Sequence, residues 1–315
     1  MRLISSVFSI LSSRGLLDLL LALKGGVVAF VGRSFNRRFV KRSIYDYQMW
    51  LDLEDTGISR GLLLFGKREL EHREMLSQIV SPGMTIFDIG ANIGYYAIME
   101  SRLVGDAGRV IAVEPSHPNI ELLQRNLELN SLNNVSVLSG AISDKVGAAE
   151  FYLSYQSNLN TFHNVGSGRE HLTGTSIKVE TQTVATLAKK FGSPDLIRMD
   201  VEGHEVAVLN GAITAIRDGE IRPSVIFETH LSRYDENNDM ALVLRHMFNL
   251  GYRVPLAASS WEGGSAIVES FGYSSEVRIK TDGNIRKIYR DLSNDDAIQL
   301  ICETGGLRTV VLAAN

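Results

Sequence analysis

Short runs of aliphatic and β-branched residues alternate, from residue 84 onward, with segments in which apolar residues recur every three or four positions. This alternation is typical of parallel βαβ units, in which a buried strand is followed by an amphipathic helix. The pattern predicts strands at 85–89, 109–114, 135–138, 196–199, 224–227 and 309–313, and helices ending near 103 and spanning 118–130, 206–217 and 240–250. We therefore expect a doubly wound α/β fold with a mostly parallel sheet.

Two further strand-like runs, at 149–155 and 176–184, bracket a polar stretch at 156–175. A structureless loop of that length is unusual in a compact domain, so we expect the two runs to pair as an antiparallel accessory hairpin. Residues 255–308 show no clear periodicity, and 259–265 are expected to form a loop.

The first 50 residues differ from the rest of the chain in charge. They carry eight basic and two acidic residues, a net charge of +6 that leaves −10 for the remainder of a chain whose total is −4. Because a nucleic-acid channel needs a basic face, the acidic remainder argues against a nucleic-acid partner.

Residues 16–31 are mostly apolar but contain Asp18 and Lys24. A membrane-spanning helix needs about 20 apolar residues with few charges, so we expect no transmembrane segment. Without a clear small-residue cleavage site, we also expect no signal peptide. Residues 1–50 are instead expected to form a basic, amphipathic helical extension that packs on the core or on a second subunit, and contact of residues 1–42 with the inner membrane face stays open.

The catalytic domain is expected over residues 51–315, with its core at 84–254, a variable part at 255–308 and a closing strand at 309–314. Its single cysteine, Cys302, excludes an internal disulfide framework and a cysteine-based zinc cluster. A reducing, cytoplasmic location is therefore expected.

Residues 87–94, with the sequence Phe-Asp-Ile-Gly-Ala-Asn-Ile-Gly, carry the most informative pattern. Asp88 lies near the end of the first predicted strand, and Gly90 and Gly94 follow in the turn into a helix. Glycines at this edge of an open sheet let the backbone approach a ligand. Glu114 ends the next strand, where its carboxylate could accept hydrogen bonds from two ribose hydroxyls.

A nicotinamide dinucleotide site has a similar layout, but the chemistry of this turn differs. The pyrophosphate fingerprint needs Gly-x-Gly-x-x-Gly, whereas the spacing here is Gly-x-x-x-Gly, and Tyr95 and Tyr96 follow it. Asp88 would also repel a pyrophosphate. A carboxylate is compatible with S-adenosylmethionine (SAM), which carries a sulfonium and an ammonium and no phosphate.

Three further segments end predicted strands at the same edge of the sheet. Ala141 and Asp144 follow the third strand, where the backbone could border an adenine ring, although Asp144 could equally be a turn former. Asp200 and Glu202 follow the strand at 196–199 and could position a substrate hydroxyl and accept its proton. Glu205 is expected only to favour the start of the following helix.

Glu228 and His230 follow the strand at 224–227. Histidine is a plausible general base near neutral pH. We expect no metal requirement, since the sequence contains no recognisable metal-binding pattern.

With these segments in order, the chain resembles the FkbM family of SAM-dependent methyltransferases from about Asp52 to Arg253. The resemblance is carried by residues 86–96, 108–115, 126–130, 141–144 and 195–203, together with Arg222-Pro223 and Glu228. It implies a seven-stranded, mostly parallel sheet with one antiparallel strand near the C-terminus. It also implies methyl transfer, usually to oxygen, on secondary metabolites or on sugars of glycans and glycolipids.

Together the motifs and the resemblance give two sets of candidate site residues. The cofactor set comprises Asp88, Gly90, Ala91, Asn92, Gly94, Glu114, Pro115, Ala141 and Asp144, and the catalytic set comprises Asp200, Glu202, Glu228 and His230. The acceptor is expected to be a small molecule or a glycan- or lipid-linked hydroxyl, and a homo-oligomer stays open. Two alternatives are a nicotinamide-dependent oxidoreductase and a catalytically silent scaffold of the same fold that recruits partners to a membrane.

Overall fold

The computed structural model describes residues 10–164, 171–275 and 277–314. Before the catalytic core it has α1 (Leu16–Ser34), β1 (Phe39–Ile44), β2 (Tyr47–Asp52), α2 (Ile58–Phe65) and α3 (Leu70–Ile79). The core then follows as β3 (Thr85–Ile89), α4 (Tyr95–Val104), β4 (Arg109–Glu114), α5 (His117–Leu129), β5 (Val135–Ser139), β6 (Ala141–Ile142), β7 (Gly147–Ser154), β8 (Leu172–Gln182), α6 (Val184–Phe191), β9 (Leu196–Met199) and α7 (Glu205–Arg217). The remaining elements are β10 (Ser224–Glu228), α8 (Met240–Asn249), β11 (Tyr252–Ser259), α9 (Glu262–Ser270), β12 (Arg278–Thr281), β13 (Asn284–Leu292), α10 (Asn294–Cys302) and β14 (Leu307–Ala314).

The main sheet has nine strands in the order β12-β13-β11-β14-β10-β9-β3-β4-β5. Strands β5, β4, β3, β9 and β10 are parallel, and β14 lies antiparallel between β10 and β11. The seven strands from β11 to β5 match the expected sheet, including its antiparallel strand near the C-terminus. Strands β13 and β12 extend the sheet to nine, which the sequence did not predict.

The strand order places the switch point of the sheet between β3 and β9. From β3 the chain moves outward through β4 and β5, and it then returns to pair β9 with the other side of β3. In open α/β sheets, ligands bind at the carboxyl ends of the strands beside such a point. The residues that follow Ile89 and Met199 are therefore the ones that the fold brings together.

Apolar side chains cover both faces of the main sheet. Along β3, Phe87 and Ile89 point into one buried layer with α7, while Ile86 points into the other layer with α4. This alternation follows from the two-residue period of a strand. Because apolar side chains cover both faces of the sheet, the polar residues at the strand ends are held on a rigid base.

The accessory hairpin is confirmed, since β7 and β8 pair antiparallel from Gly147 with Thr181 onward. The short strand β6 joins β8 to complete a three-stranded sheet. The segment between β7 and β8 includes the helical turn Ser157–Leu159, which lies beside the glycine turn of β3.

Two expectations require correction. Residues 1–50 are not helical throughout, because α1 ends at Ser34 and the hairpin of β1 and β2 follows. Residues 259–265 are not a loop, since β11 ends at Ser259 and α9 begins at Glu262. Both errors concern short elements whose sequence has no clear period and which are stabilised by contacts with distant parts of the chain. No helix within the described residues is long and apolar enough to cross a membrane.

Candidate active site

The glycine turn after β3 lies directly against the end of β9. Gly90 has φ +81°, and a Cβ at this position would lie 2.4 Å from the carbonyl oxygen of Asp200. Only glycine fits this close approach and this left-handed conformation. Asn92 is also left-handed, with φ +49°, and its backbone N–H points to Glu114. The turn is thus fixed between the ends of β4 and β9.

Glu114 is buried at the end of β4, as the sequence predicted, and three donors hold its carboxylate. Oε2 accepts a bond from Asn92 N at 2.9 Å, and Oε1 accepts bonds from Ser116 N and Asn119 Nδ2 at 3.0 and 3.1 Å. A carboxylate can accept about four hydrogen bonds, so capacity remains for a ligand hydroxyl. Burial raises the pKa of Glu114 to about 7, against the lowering effect of these donors.

Asp88 lies beneath the turn, where it is fully buried and paired with Arg198 of β9. Arg198 Nη1 lies 3.1 Å from Asp88 Oδ1 and also donates to the carbonyl of Gly90. Its guanidinium stacks on the ring of Tyr96 at 4.0 Å. Asp88 therefore neutralises a buried cation that supports the turn, instead of presenting a free carboxylate to the cofactor.

Asp200 occupies the end of β9, on the open side of this pair. Its Oδ2 lies 3.5 Å from Arg198 Nη2, while its buried Oδ1 finds no hydrogen-bond partner among the described residues. An unsatisfied buried carboxylate oxygen is costly and is a common feature of reactive sites. This oxygen faces His230, whose Nε2 is 3.9 Å away.

His230 lies between three carboxylates. Its Nδ1 is 3.0 Å from Glu205 Oε1, and its Nε2 is 3.6 Å from Glu202 Oε2. Burial disfavours the imidazolium, but the charges of Glu205, Glu202 and Glu228 outweigh it and hold the pKa of His230 well above its usual value. This shift favours the imidazolium form, in which His230 is a partner for carboxylates and not a general base.

Glu202 has the properties that a proton acceptor needs. It adopts φ +53°, a left-handed conformation that is uncommon outside glycine and that directs its side chain toward His230. Burial raises the pKa of Glu202 to about 7, with His230 opposing this effect and Asp200 adding to it. A group whose pKa lies near the working pH is well suited to accept a proton.

Glu228 belongs to a second set of buried charges around Arg308 of β14. Arg308 Nη1 lies 2.8 Å from Glu228 Oε1, and Nη2 lies 2.9 Å from Glu69 Oε1. Glu69 also accepts a bond from the hydroxyl of Tyr96 at 2.6 Å, which links this set to Arg198. Burial raises the pKa of Glu228 to about 8, although Arg308 lowers it.

Comparison with known proteins shows the family to which the chain belongs. A family model described as the methyltransferase FkbM domain matches residues 88–254, which is more than half of the chain. The chain belongs to the FkbM methyltransferase family. This confirms the resemblance, with SAM as the cofactor, and it sets aside the nicotinamide-dependent alternative.

Curated relatives match the chain over short segments. A protein-L-isoaspartate O-methyltransferase from Methanothrix thermoacetophila is 38% identical over 58 residues, 18% of this chain and 28% of that protein. A ribosomal protein L11 methyltransferase from Thermoanaerobacter pseudethanolicus is 34% identical over 82 residues, 26% of each chain. The match thus spans at most about a quarter of the length of these relatives.

Solved structures give distant likenesses. The methyltransferase FkbM from Methylobacillus flagellatus is 14% identical, with 73% of this chain and 52% of that chain covered and a TM-score of 0.38. The TYW2 protein of M. jannaschii, solved in complex with AdoMet, is 13% identical, with 88% and 85% covered and a TM-score of 0.39.

The space around the glycine turn of the FkbM domain consists of several cavities. Two cavities of about 40 Å³ each lie beside Gly90, and Asn158 lines both. A third, of about 450 Å³, adjoins the second at Ser157 and is lined by Ile93 and Ser116. Binding sites for small ligands commonly have volumes of about 300–1,000 Å³. Glu114 lines the second small cavity, and Ser157 and Asn158 of the helical turn lie where the cavities adjoin.

Two hydrogen bonds hold this helical turn in place: Ser157 N donates to Asp55, and the other bond comes from the glycine turn. Asn92 Nδ2 donates to the carbonyl of Ser157 at 3.0 Å. Asn92 thus connects the backbone beneath the cofactor site with the segment that covers it.

The remaining residues of the predicted cofactor set lie at different depths. Ala91 is buried and lines one of the small cavities, and Pro115 is half-buried after β4. Gly94 precedes α4. Ala141 is buried in β6, whereas Asp144 is exposed and accepts a bond from Ser143 Oγ. Neither Ala141 nor Asp144 lines the three cavities described here, so their predicted roles stay predictions.

Asp200, Glu202 and His230 also form a set of three ligand types whose oxygen and nitrogen atoms lie within 4.8 Å of one another. This spacing would admit a divalent cation. Binding of a cation would require His230 to be neutral, because an imidazolium has no lone pair to offer.

Sequence reasoning missed several residues of the site. Glu205 does begin α7, as expected, and accepts bonds from Val201 N and Gly203 N, but it also contacts His230. Arg198 lies within the motif at 195–203, but the sequence pattern assigned it no role. Arg308 and Glu69 gave no local signal, because they are 239 residues apart and meet only in the folded chain.

Proposed function

We propose that this chain transfers a methyl group from SAM to a hydroxyl oxygen of a sugar, a glycolipid or polysaccharide, or a secondary metabolite. The observation that carries the proposal is the position of Asp200 and Glu202, which line the same small cavity as Gly90 and Glu114. A proton-accepting group and a nucleoside-binding turn therefore share one enclosed space. That is the requirement of direct methyl transfer to a hydroxyl.

The residues that would hold SAM are those of the glycine turn and Glu114. When bound, SAM supplies an electrophilic methyl group on a positively charged sulfur. The turn of Gly90 leaves the backbone uncovered by side chains, and Glu114 accepts hydrogen bonds from hydroxyl groups. Asp200, whose Oδ1 is unsatisfied among the described residues, adds a negative charge that favours a cationic ligand.

Different residues position the acceptor and remove its proton. Asp200 Oδ1 accepts a hydrogen bond from the acceptor hydroxyl and orients it. Glu202 accepts the proton as the new carbon–oxygen bond forms. His230, held by Glu205, keeps Glu202 in place and stabilises its charged form through the Nε2 contact. Glu228 stays bound to Arg308 and acts through the local charge.

The charge of the site supports a neutral acceptor. Asp200 and Glu202 line the small cavity beside Gly90, where their charged forms would repel a phosphorylated or carboxylated substrate. A sugar hydroxyl carries no charge and forms hydrogen bonds with carboxylates. The net charge of −10 after residue 50 agrees with this class and argues against nucleic acid.

The proposal is tested by transfer of labelled methyl from SAM into an extract of the source cells, followed by mass spectrometry of the labelled product. We expect the label on a hydroxyl-derived methyl ether. Label confined to protein nitrogen, to a carboxyl ester or to nucleic acid would refute the hydroxyl acceptor. The Asp200→Asn/Glu202→Gln double variant is the control for background transfer.

Replacing Glu114 with alanine is expected to weaken SAM binding about 10- to 100-fold, because a hydrogen bond to a charged group contributes about 1.5–3 kcal/mol. Titration calorimetry with SAM measures this change. Asp106→Asn is the matched control, since Asp106 is an exposed acid in the loop between α4 and β4, at the opposite edge of the sheet. An unchanged SAM affinity in the Glu114 variant would contradict the assigned cofactor site.

A further inference from the structure

Helix α1 exposes a continuous apolar face. Its large outward side chains are between 47% and 72% exposed, which is unusual for so many apolar residues on one element. They are Leu16, Leu17, Leu20, Leu23, Val27, Phe30 and Val31, followed by Phe35 directly after the helix. Their spacing of three and four residues places them on one side, along a length of about 28 Å at 1.5 Å per residue.

The opposite side of α1 is already packed, so this apolar face is not a displaced core face. Leu19, Ala22 and Ala29 are buried against the domain. A Cβ at Gly25 would lie 2.2 Å from the carbonyl oxygen of Leu63 in α2, so α1 and α2 are in backbone contact there. The helix is thus held in one orientation, and turning its apolar residues inward would break this contact.

The charges on and next to the apolar face are mainly positive. Lys24 is exposed among the apolar side chains and Arg37 just after them, whereas Arg33 donates to the carbonyl of Leu53 on the domain side. Asp18 is the one acidic residue of the 16–38 sequence, and it is paired with Lys67 at 3.0 Å. An apolar face with cationic borders is the pattern of helices that lie in the headgroup region of an anionic bilayer.

We propose that α1 binds the surface of an anionic phospholipid bilayer, with its axis in the plane of the membrane and its apolar face among the acyl chains. Side chains as exposed as Phe30 and Phe35 stand out from the surface and suit a deformable partner better than a rigid one. A second copy joined through the same face would place Lys24, which lies among the apolar side chains, against a surface that offers it no acidic partner. Anionic headgroups instead neutralise this cation.

The experiment is vesicle flotation of the full chain. We expect it to bind vesicles of phosphatidylcholine with 30% phosphatidylglycerol about tenfold or more tightly than pure phosphatidylcholine vesicles, since each cation near an anionic surface adds about 1 kcal/mol, or about fivefold. The Leu20→Gln/Val27→Gln/Phe30→Gln variant is expected to lose at least tenfold in binding to the anionic vesicles. Lys24→Gln/Arg37→Gln is expected to lose most of the preference for them.

The matched control is Val146→Gln/Leu242→Gln/Trp261→Gln, which removes apolar residues of similar exposure from other parts of the surface and is expected to bind like the wild type. Equal thermal unfolding of all variants shows that the fold is intact. Failure of the wild-type chain to bind anionic vesicles would overturn the proposal. So would lipid-free dimerisation, seen by analytical ultracentrifugation, that the triple variant of α1 abolishes, because the face would then join two copies.

Discussion

Replacing Glu202 with glutamine is expected to slow methyl transfer about 10²- to 10⁴-fold while leaving the affinity for SAM nearly unchanged. Glutamine keeps the size of the side chain but has no basic oxygen to accept the proton of the acceptor. The rate is measured in a single turnover with the acceptor found by methyl labelling, and the affinity by calorimetry. Glu220→Gln, at an exposed position in the loop between α7 and β10, is the control for a charge lost from the surface.

The pH dependence gives an independent test of the same assignment. Burial raises the pKa of Glu202 to about 7, and the proton acceptor must be ionised to work. The rate of the wild-type chain is therefore expected to rise as the pH increases through about 7 and then to level off. In the Glu202→Gln variant this rise should be absent. A variant that keeps both the rate and the rise would show that another group accepts the proton.

Chelation distinguishes proton transfer by this cluster from cation binding. The proposed proton transfer by Glu202 needs no metal ion, so treatment with EDTA is expected to leave the rate unchanged. Loss of the rate with EDTA and its recovery with Mg²⁺ would assign Asp200, Glu202 and His230 to a cation instead.

Replacing Arg198 with methionine is expected to lower the free energy of unfolding by about 3–5 kcal/mol. Asp88 is fully buried and pairs with Arg198, so the variant would leave a carboxylate without its countercharge in the core. Methionine keeps much of the apolar stem and its contact with Tyr96. Urea denaturation followed by circular dichroism measures the change.

The double variant Asp88→Asn/Arg198→Met separates charge from packing. With the carboxylate removed as well, we expect recovery of at least half of the lost stability, because a neutral amide is less costly to bury than an unpaired charge. Equal destabilisation of the single and the double variant would mean that the guanidinium contributes through its packing and not through its pairing with Asp88.

The sheet was predicted well where strand and helix periods are strong. Strands β3, β4, β9 and β10 lie within one residue of their predicted ends, and the hairpin of β7 and β8 formed as expected. In these segments a buried strand requires a run of apolar residues, so the local sequence carries the signal. The β1–β2 hairpin and strands β12 and β13 have mixed surfaces, and their sequences lacked such a run.

The site likewise contains residues that the sequence predicted and residues that it did not. Residues at strand ends, such as Gly90, Glu114 and Asp200, were predictable because the direction of a parallel sheet decides which edge they occupy. Their partners were not predictable. Arg308 and Glu69 are 239 residues apart, and they form their ion pair only because the sheet places β14 beside the loop before α3.

The sequence by itself determined the α/β fold, the family and the position of the cofactor turn, because periodicity and short motifs are local properties. Only the tertiary structure decided that Asp88 pairs with Arg198, that His230 lies among carboxylates and that the apolar face of α1 is exposed. Pairing and exposure depend on contacts between side chains that are far apart in the sequence, and these contacts form only when the elements pack together.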